Sequence, residues 1–130
     1  MDCDMEEVGR VRLSVFTGTK ARLNRVILRV LAQHGPLTIS SLRKRIRTLR
    51  DYRYTRYPVI YRRVNALQKE GFLEVTGVDE VKKKSLVYGL TARGHLAILL
   101  DQMDLDKVLR TADTEKIVAI LSVLSQHSTV

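Results

Sequence analysis

The chain has 130 residues, 45% hydrophobic and 28% charged, which suits one folded domain with its own core and excludes an intrinsically disordered segment. Its single cysteine, Cys3, excludes an intramolecular disulfide and a cysteine-built zinc site, and no apolar run reaches the length needed to cross a bilayer. The net charge is +9, yet residues 9–69 alone carry sixteen bases against one acid, Asp51, an asymmetry that points to a polyanionic partner.

Residues 1–18 read as an N-terminal arm. Residues 1–8 hold four acids and no base, and Val11, Leu13 and Val15 alternate weakly with polar residues. That pattern allows a strand or a segment that packs on a partner. The acidic start lacks the apolar stretch of a secretion signal, so the expected location is the cytoplasm, without membrane association.

Residues 20–34 predict a helix, with Leu23, Ile27, Val30 and Leu31 on one stripe, Thr19 as its N-cap and Gly35-Pro36 as its stop. Leu37 predicts a short extended piece. Thr38 or Ser40 then caps a second helix running to about residue 50, with Ile39, Leu42, Ile46 and Leu49 inward and Arg43, Lys44, Arg47 and Arg50 outward.

Residues 51–63, "DYRYTRYPVIYRR", hold four tyrosines and four arginines around one proline. Proline is tolerated in the first turn of a helix, where its missing N–H would be unpaired anyway. A third helix is therefore predicted from Pro58 to a stop at Gly71, with Ile60, Val64 and Leu67 inward. Two short alternating segments follow, "FLEVTGV" and "SLVYGLT", joined by a connection carrying Lys82, Lys83 and Lys84. They predict a hairpin. Thr91 caps a further helix through "ARGHLAILLDQ". Residues 103–126 are again helical in pattern, with Leu105, Val108, Leu109, Ile117, Leu121 and Leu124 apolar. That stripe is either an interface with a second copy or a face folded back on its own domain.

The expected fold is thus mainly α with a small β-hairpin, a winged helix-turn-helix, followed by C-terminal helices. The expected divisions are 1–18 (arm), 19–101 (winged helix-turn-helix) and 102–130 (dimerisation segment). Winged helices serve as nucleic-acid readers and as protein-interaction modules, so the fold alone does not decide between them.

Three segments resemble the PadR-type transcriptional regulators. "LNRVILRVLAQHGPLTISSLRKRIRTL" is similar to their first two helices, "VIYRRVNALQKEGFLEV" to their recognition helix, and "VYGLTARG" to the junction after the wing. The last two are shared with MarR-type regulators, the neighbouring family. Thr38-Ile39-Ser40-Ser41 stands where PadR-type proteins usually carry His-Gly-Tyr-Glu, and the chain has no tryptophan. The resemblance implies double-stranded DNA as partner, a homodimer joined through the helices after the wing, and a two-fold-related operator. The corresponding function is a DNA-binding transcriptional regulator, expected to act as a repressor. The alternatives are a non-specific architectural DNA-binding protein and a winged helix that binds RNA or protein.

On that reading Tyr54, Arg56 and Tyr57 stand at the entrance of the recognition helix. Val59, Arg62, Arg63 and Asn65 lie on or beside its open face. Arginine pairs bidentately with guanine, asparagine with adenine, and an apolar side chain suits a thymine methyl, which assigns base contacts to Arg62, Asn65 and Val59. Tyr57 and Tyr61 would bind phosphate through their hydroxyls, with Tyr61 equally suited to be half-core and Tyr88 core. Arg43, Lys44, Arg47, Arg53 and Arg63 would follow the phosphate backbone. Lys82, Lys83 and Lys84 would meet an adjacent groove or form a solvated hairpin tip. His34, His95 and His127 lie far apart with no metal-ligand spacing, and no carboxylate pair, glycine-rich phosphate loop or nucleophile–histidine grouping is readable. No enzyme activity, cofactor or metal is expected, and no effector can be read.

Overall fold

A computed structural model describes residues 13–81 and 84–126. Cys3, Lys82, Lys83 and His127, together with Val11 of the expected arm, lie outside the described residues. The chain divides into two compact units, one formed by Arg12–Asp101 and one holding the C-terminal residues from Gln102 onward.

The first unit opens with a 3-10 turn, Ser14–Phe16, where the sequence allowed a strand. Val15 and Phe16 are buried there, so this part of the expected arm belongs to the core. Helix α1 spans Ala21–His34. Thr19 does not cap it: the turn closed by Ala21 N–H on the Gly18 carbonyl leaves Thr19 exposed, and Lys20 takes the cap position without a side-chain bond. The preceding turn is instead tied down by Asn24, whose buried Nδ2 donates to the Val15 carbonyl at 2.9 Å. Gly35 ends the helix at φ +78°, a conformation that costs glycine little.

Strand β1, Leu37–Thr38, leads into α2, Ile39–Ile46. The Thr38 hydroxyl accepts from Ser41 N–H at 3.2 Å, the expected N-cap bond. Ile39, Leu42 and Ile46 face the core. The helix stops four residues earlier than its apolar spacing predicts. Thr48 Oγ1 donates to the Arg45 carbonyl, the chain turns, and a 3-10 turn forms over Arg50–Tyr52. Leu49 is left 40% exposed instead of continuing the buried stripe.

Helix α3 spans Tyr57–Lys69, with Pro58 in its first turn and Ile60, Val64 and Leu67 fully buried. Gly71, at φ +88°, reverses the chain, and Phe72 N–H closes the end on the Leu67 carbonyl. Strands β2 (Leu73–Asp79) and β3 (Ser85–Leu90) form the hairpin. β1 completes a three-stranded antiparallel sheet in the order β1-β3-β2, with Leu37 opposite Tyr88 and Leu73 opposite Leu90.

Thr91 links the sheet to α4, Ala92–Gln102. Its hydroxyl donates to the Gly71 carbonyl at 2.6 Å and accepts from Gly94 N–H at 3.1 Å, so it caps the helix as expected. Asp101, near the far end of α4, accepts from Arg25 Nε at 2.7 Å and Nη2 at 3.0 Å, and from Arg29 at 3.3 Å. The Arg25 guanidinium also lies over the Phe16 ring, 5.0 Å from its centre. A bidentate pair on a buried carboxylate fixes α4 against α1 more firmly than an exposed ion pair would.

In the second unit the single helical stretch expected over 103–126 is two helices, α5 (Leu105–Thr111) and α6 (Thr114–Gln126). Each is started by an aspartate. Asp104 accepts from the N–H groups of Asp106 and Lys107, and Asp113 from Lys116 N–H. No helix among the described residues is long and apolar enough to cross a membrane.

Candidate nucleic-acid interface

The buried sides of α2 and α3 turn their remaining residues outward. Lys44, Arg45, Arg47, Arg50, Arg53, Arg56 and Arg62 are all exposed. Seven cations on two short elements and their connection give the face a strongly positive field. The Arg56 carbonyl accepts from Val59 and Ile60 N–H, but the guanidinium groups of Arg56 and Arg62 make no hydrogen bond or ion pair among the described residues, which leaves their donors open.

Three tyrosines converge at the start of α3. Tyr57 and Tyr61, one helical turn apart, stack with ring centres 6.3 Å apart and planes 19° from parallel. Both are partly exposed, at 41% and 47%. They line one wall of a cleft whose other walls are Thr38, Ile39 and Ser40 at the start of α2, and Ser85, Leu86 and Tyr88 of β3. Tyr88 is buried, as its place in the alternating strand suggests. Burial, reinforced by the neighbouring Tyr61 and Tyr57, raises its phenol above the ordinary tyrosine value. The cleft lining from α2 was missed in the sequence because Thr38 and Ser40 read only as caps.

The sequence candidates do not all share one surface. Tyr54, Arg56, Tyr57, Tyr61 and Arg62 are exposed around the start of α3. Val59 and Asn65 are half-buried. Arg63 points elsewhere: it is half-buried, donates to Asn24 Oδ1 of α1 at 3.4 Å, and lines a polar cleft with Ser14, Thr17, Lys20 and Glu70. The helix is only 3.6 residues per turn, so Arg62 and Arg63 diverge by about 100°. Lys44 and Arg53 are exposed. Arg43 and Arg47 lie at the connection between α2 and α3 and bond to its backbone: Arg43 Nε donates to the Thr55 carbonyl at 3.1 Å and Arg47 Nε to the Arg53 carbonyl at 2.9 Å. At the hairpin tip, Lys84 is exposed with φ +60°, the left-handed region.

The apolar residues read from 103–126 fall on both helices of the second unit. Leu105, Leu109, Leu121 and Leu124 are 40%, 71%, 60% and 62% exposed, while Val108 and Ile117 are half-buried. Val118, Ile120 and Val123, not singled out in the sequence, are exposed as well. The described residues include no group of three histidine, cysteine or acidic side chains able to hold a metal ion.

The element order, the small antiparallel sheet and the packed α2–α3 pair define a winged helix-turn-helix protein. No family model and no curated protein matches the chain. Among solved structures, it is similar to the PcaV transcriptional regulator from Streptomyces coelicolor in complex with its natural ligand. The TM-score is 0.53 at 15% identity, over 88% of this chain and 76% of that one. That likeness shows the shared fold. Two MarR structures also match. The E. coli protein in its apo form gives TM-score 0.49 at 19% identity, over 82% and 76% of the two chains. The Staphylococcus aureus protein in complex with salicylate and kanamycin gives 0.49 at 20%, over 78% and 67%.

Proposed function

We propose that the protein is a sequence-specific regulator of transcription that binds double-stranded DNA, of the PadR type its sequence resembles or of the neighbouring MarR type. It acts as a repressor, as a homodimer on an inverted-repeat operator. The observation that carries this reading is the outward face of α2 and α3, where the guanidinium groups of Arg56 and Arg62, without a partner among the described residues, stand beside the exposed Tyr54, Tyr57 and Tyr61. A helix N-terminus in the major groove brings such side chains to base edges and phosphates. In this assignment Arg62 is the principal base contact, with Val59 and Asn65 beside it. Tyr57 and Tyr61 hold phosphate at the cleft, and Lys44, Arg53 and the wing lysines Lys82, Lys83 and Lys84 add sequence-independent attraction. Arg63 is assigned to support of the helix through Asn24, in place of the phosphate role its type suggests.

The domain that reads DNA is residues 19–101 together with the buried Val15 and Phe16. Residues 102–130 supply the dimer contacts through Leu105, Val108, Leu109, Ile117, Leu121 and Leu124. The exposure of Leu105, Leu109, Leu121 and Leu124 in the single chain supports this, because an apolar helix face is ordinarily covered.

The test is selection of binders from a random double-stranded DNA pool at near-physiological salt, followed by sequencing. An enriched inverted repeat is expected. Retention without enrichment would replace this reading with an architectural, phosphate-reading protein. Absence of retention would move the arginine–tyrosine face to RNA or a protein partner, for which the 82% exposure of Tyr54 offers a stacking platform.

A further inference from the structure

The connection between α2 and α3 runs from Arg47 to Arg56 and contains neither glycine nor proline. No residue of special backbone conformation sets its path, which is left to hydrogen bonds. Within it, Leu49 N–H bonds to the Ile46 carbonyl, Tyr52 N–H to the Leu49 carbonyl and Thr55 N–H to the Tyr52 carbonyl. The Thr55 hydroxyl also donates to the Tyr52 carbonyl, at 2.9 Å. Two bonds come from α2 and its end. Arg43 Nε reaches the Thr55 carbonyl and Arg47 Nε the Arg53 carbonyl. Those two carbonyls bracket Tyr54, the most exposed of the five tyrosines, and Thr55 directly precedes Arg56, the N-cap position of α3.

We propose that Arg43 and Arg47 are positioning residues: struts that hold the connection so that Tyr54 and Arg56 meet a nucleic acid already in place. Type and location alone assign both to phosphate. The geometry assigns their Nε–H groups to the protein's own backbone, and a guanidinium anchored through Nε has its direction set by that bond. Pre-ordering the connection spares the entropy of ordering it on binding. The Arg43 bond is part-buried and the Arg47 bond exposed, so Arg43 contributes more. The effect on affinity rests on the DNA-binding reading; the effect on the connection does not.

The experiment uses Arg43→Lys and Arg47→Lys in the full chain, with Lys44→Ala as comparator. Lysine keeps the charge but has no Nε–H at the bonding position. Amide hydrogen exchange of the DNA-free protein is followed over 49–56, with the buried α3 segment around Ile60 and Val64 reporting on the fold. Exchange over 49–56 should quicken in Arg43→Lys, and less in Arg47→Lys, while α3 stays protected. With the enriched duplex, Arg43→Lys should lose about tenfold in affinity and change random-duplex binding by less than about twofold. Lys44→Ala should weaken both duplexes alike and leave exchange unchanged. Unchanged exchange over 49–56 in both lysine variants overturns the proposal. So does faster exchange with undiminished discrimination. If the wild-type protein binds no duplex, the DNA reading falls while the exchange data still decide whether the struts exist.

Discussion

Arg62 and Tyr88 face opposite demands. Arg62 is solvent-exposed and unpaired among the described residues, so removing it leaves no buried group stranded. Arg62→Ala should therefore cost specific binding ~1–3 kcal/mol, with little loss on random duplex and an unchanged melting temperature. Fluorescence-anisotropy competition between the two duplexes measures it. Equal losses on both would make Arg62 a phosphate contact. Tyr88 is governed by desolvation. Its folded phenol holds its proton to higher pH than the unfolded chain does. The contribution it makes to stability is complete below the ordinary tyrosine value of about 10. It is lost as pH rises through the raised folded value, because the unfolded state then binds fewer protons. Denaturant melts of wild type and Tyr88→Phe across pH 8–11, on the order of that range, should diverge only at the alkaline end, with wild type falling more steeply. Parallel curves would refute the assignment.

At the level of elements, the readable and unreadable parts of the fold separate by physical cause. α1 and α3 have three or more apolar residues at helical spacing and end at a glycine with positive φ, so local chemistry states both their existence and their C-terminal ends. The early end of α2 was not legible: no breaker marks Arg47, and the stop is enforced by Thr48 on the Arg45 carbonyl and by the arginine bonds across the connection. Arg63 escaped in the same way, because its partner Asn24 is remote in sequence. The division of the C-terminal stretch was legible in principle from Asp104 and Asp113, both good N-caps. The junction of the sheet with α4 leaves no room for a methyl group at Gly94, where a Cβ would collide with the Phe72 carbonyl and crowd Leu90. Gly94→Ala should destabilise the protein by about 1–3 kcal/mol. Gly77→Ala, which meets open space, should stay within about 0.5 kcal/mol. Paired thermal melts decide, and equal midpoints would show that the junction yields.

For the whole molecule, the proposed function gives the basic face one partner, DNA, and the apolar helices another, a second copy. If residues 102–130 join two copies, each copy presents one α3 to DNA and the half-sites lie about one helical turn apart, ~34 Å, or a multiple of it. Leu121→Asp together with Leu124→Asp alters side chains that are exposed in the single chain. The pair should convert a dimer to a monomer in sedimentation equilibrium while leaving the helical content of 21–101 intact. A wild-type monomer would remove the dimer from the proposal.

If α6 joins two copies as proposed, its apolar surface also makes protein concentration a thermodynamic variable. Ile117, Val118, Ile120, Leu121, Val123 and Leu124 crowd one helix of thirteen residues, and burying them against a second chain couples folding to association. Dilution then acts as a denaturant: the melting temperature should climb with total protein, as mass action requires for a state that only the associated form stabilises. In a cell that coupling would tie the amount of competent protein to its own abundance more steeply than linearly. Occupancy of a two-fold site would therefore respond to synthesis and dilution as a threshold.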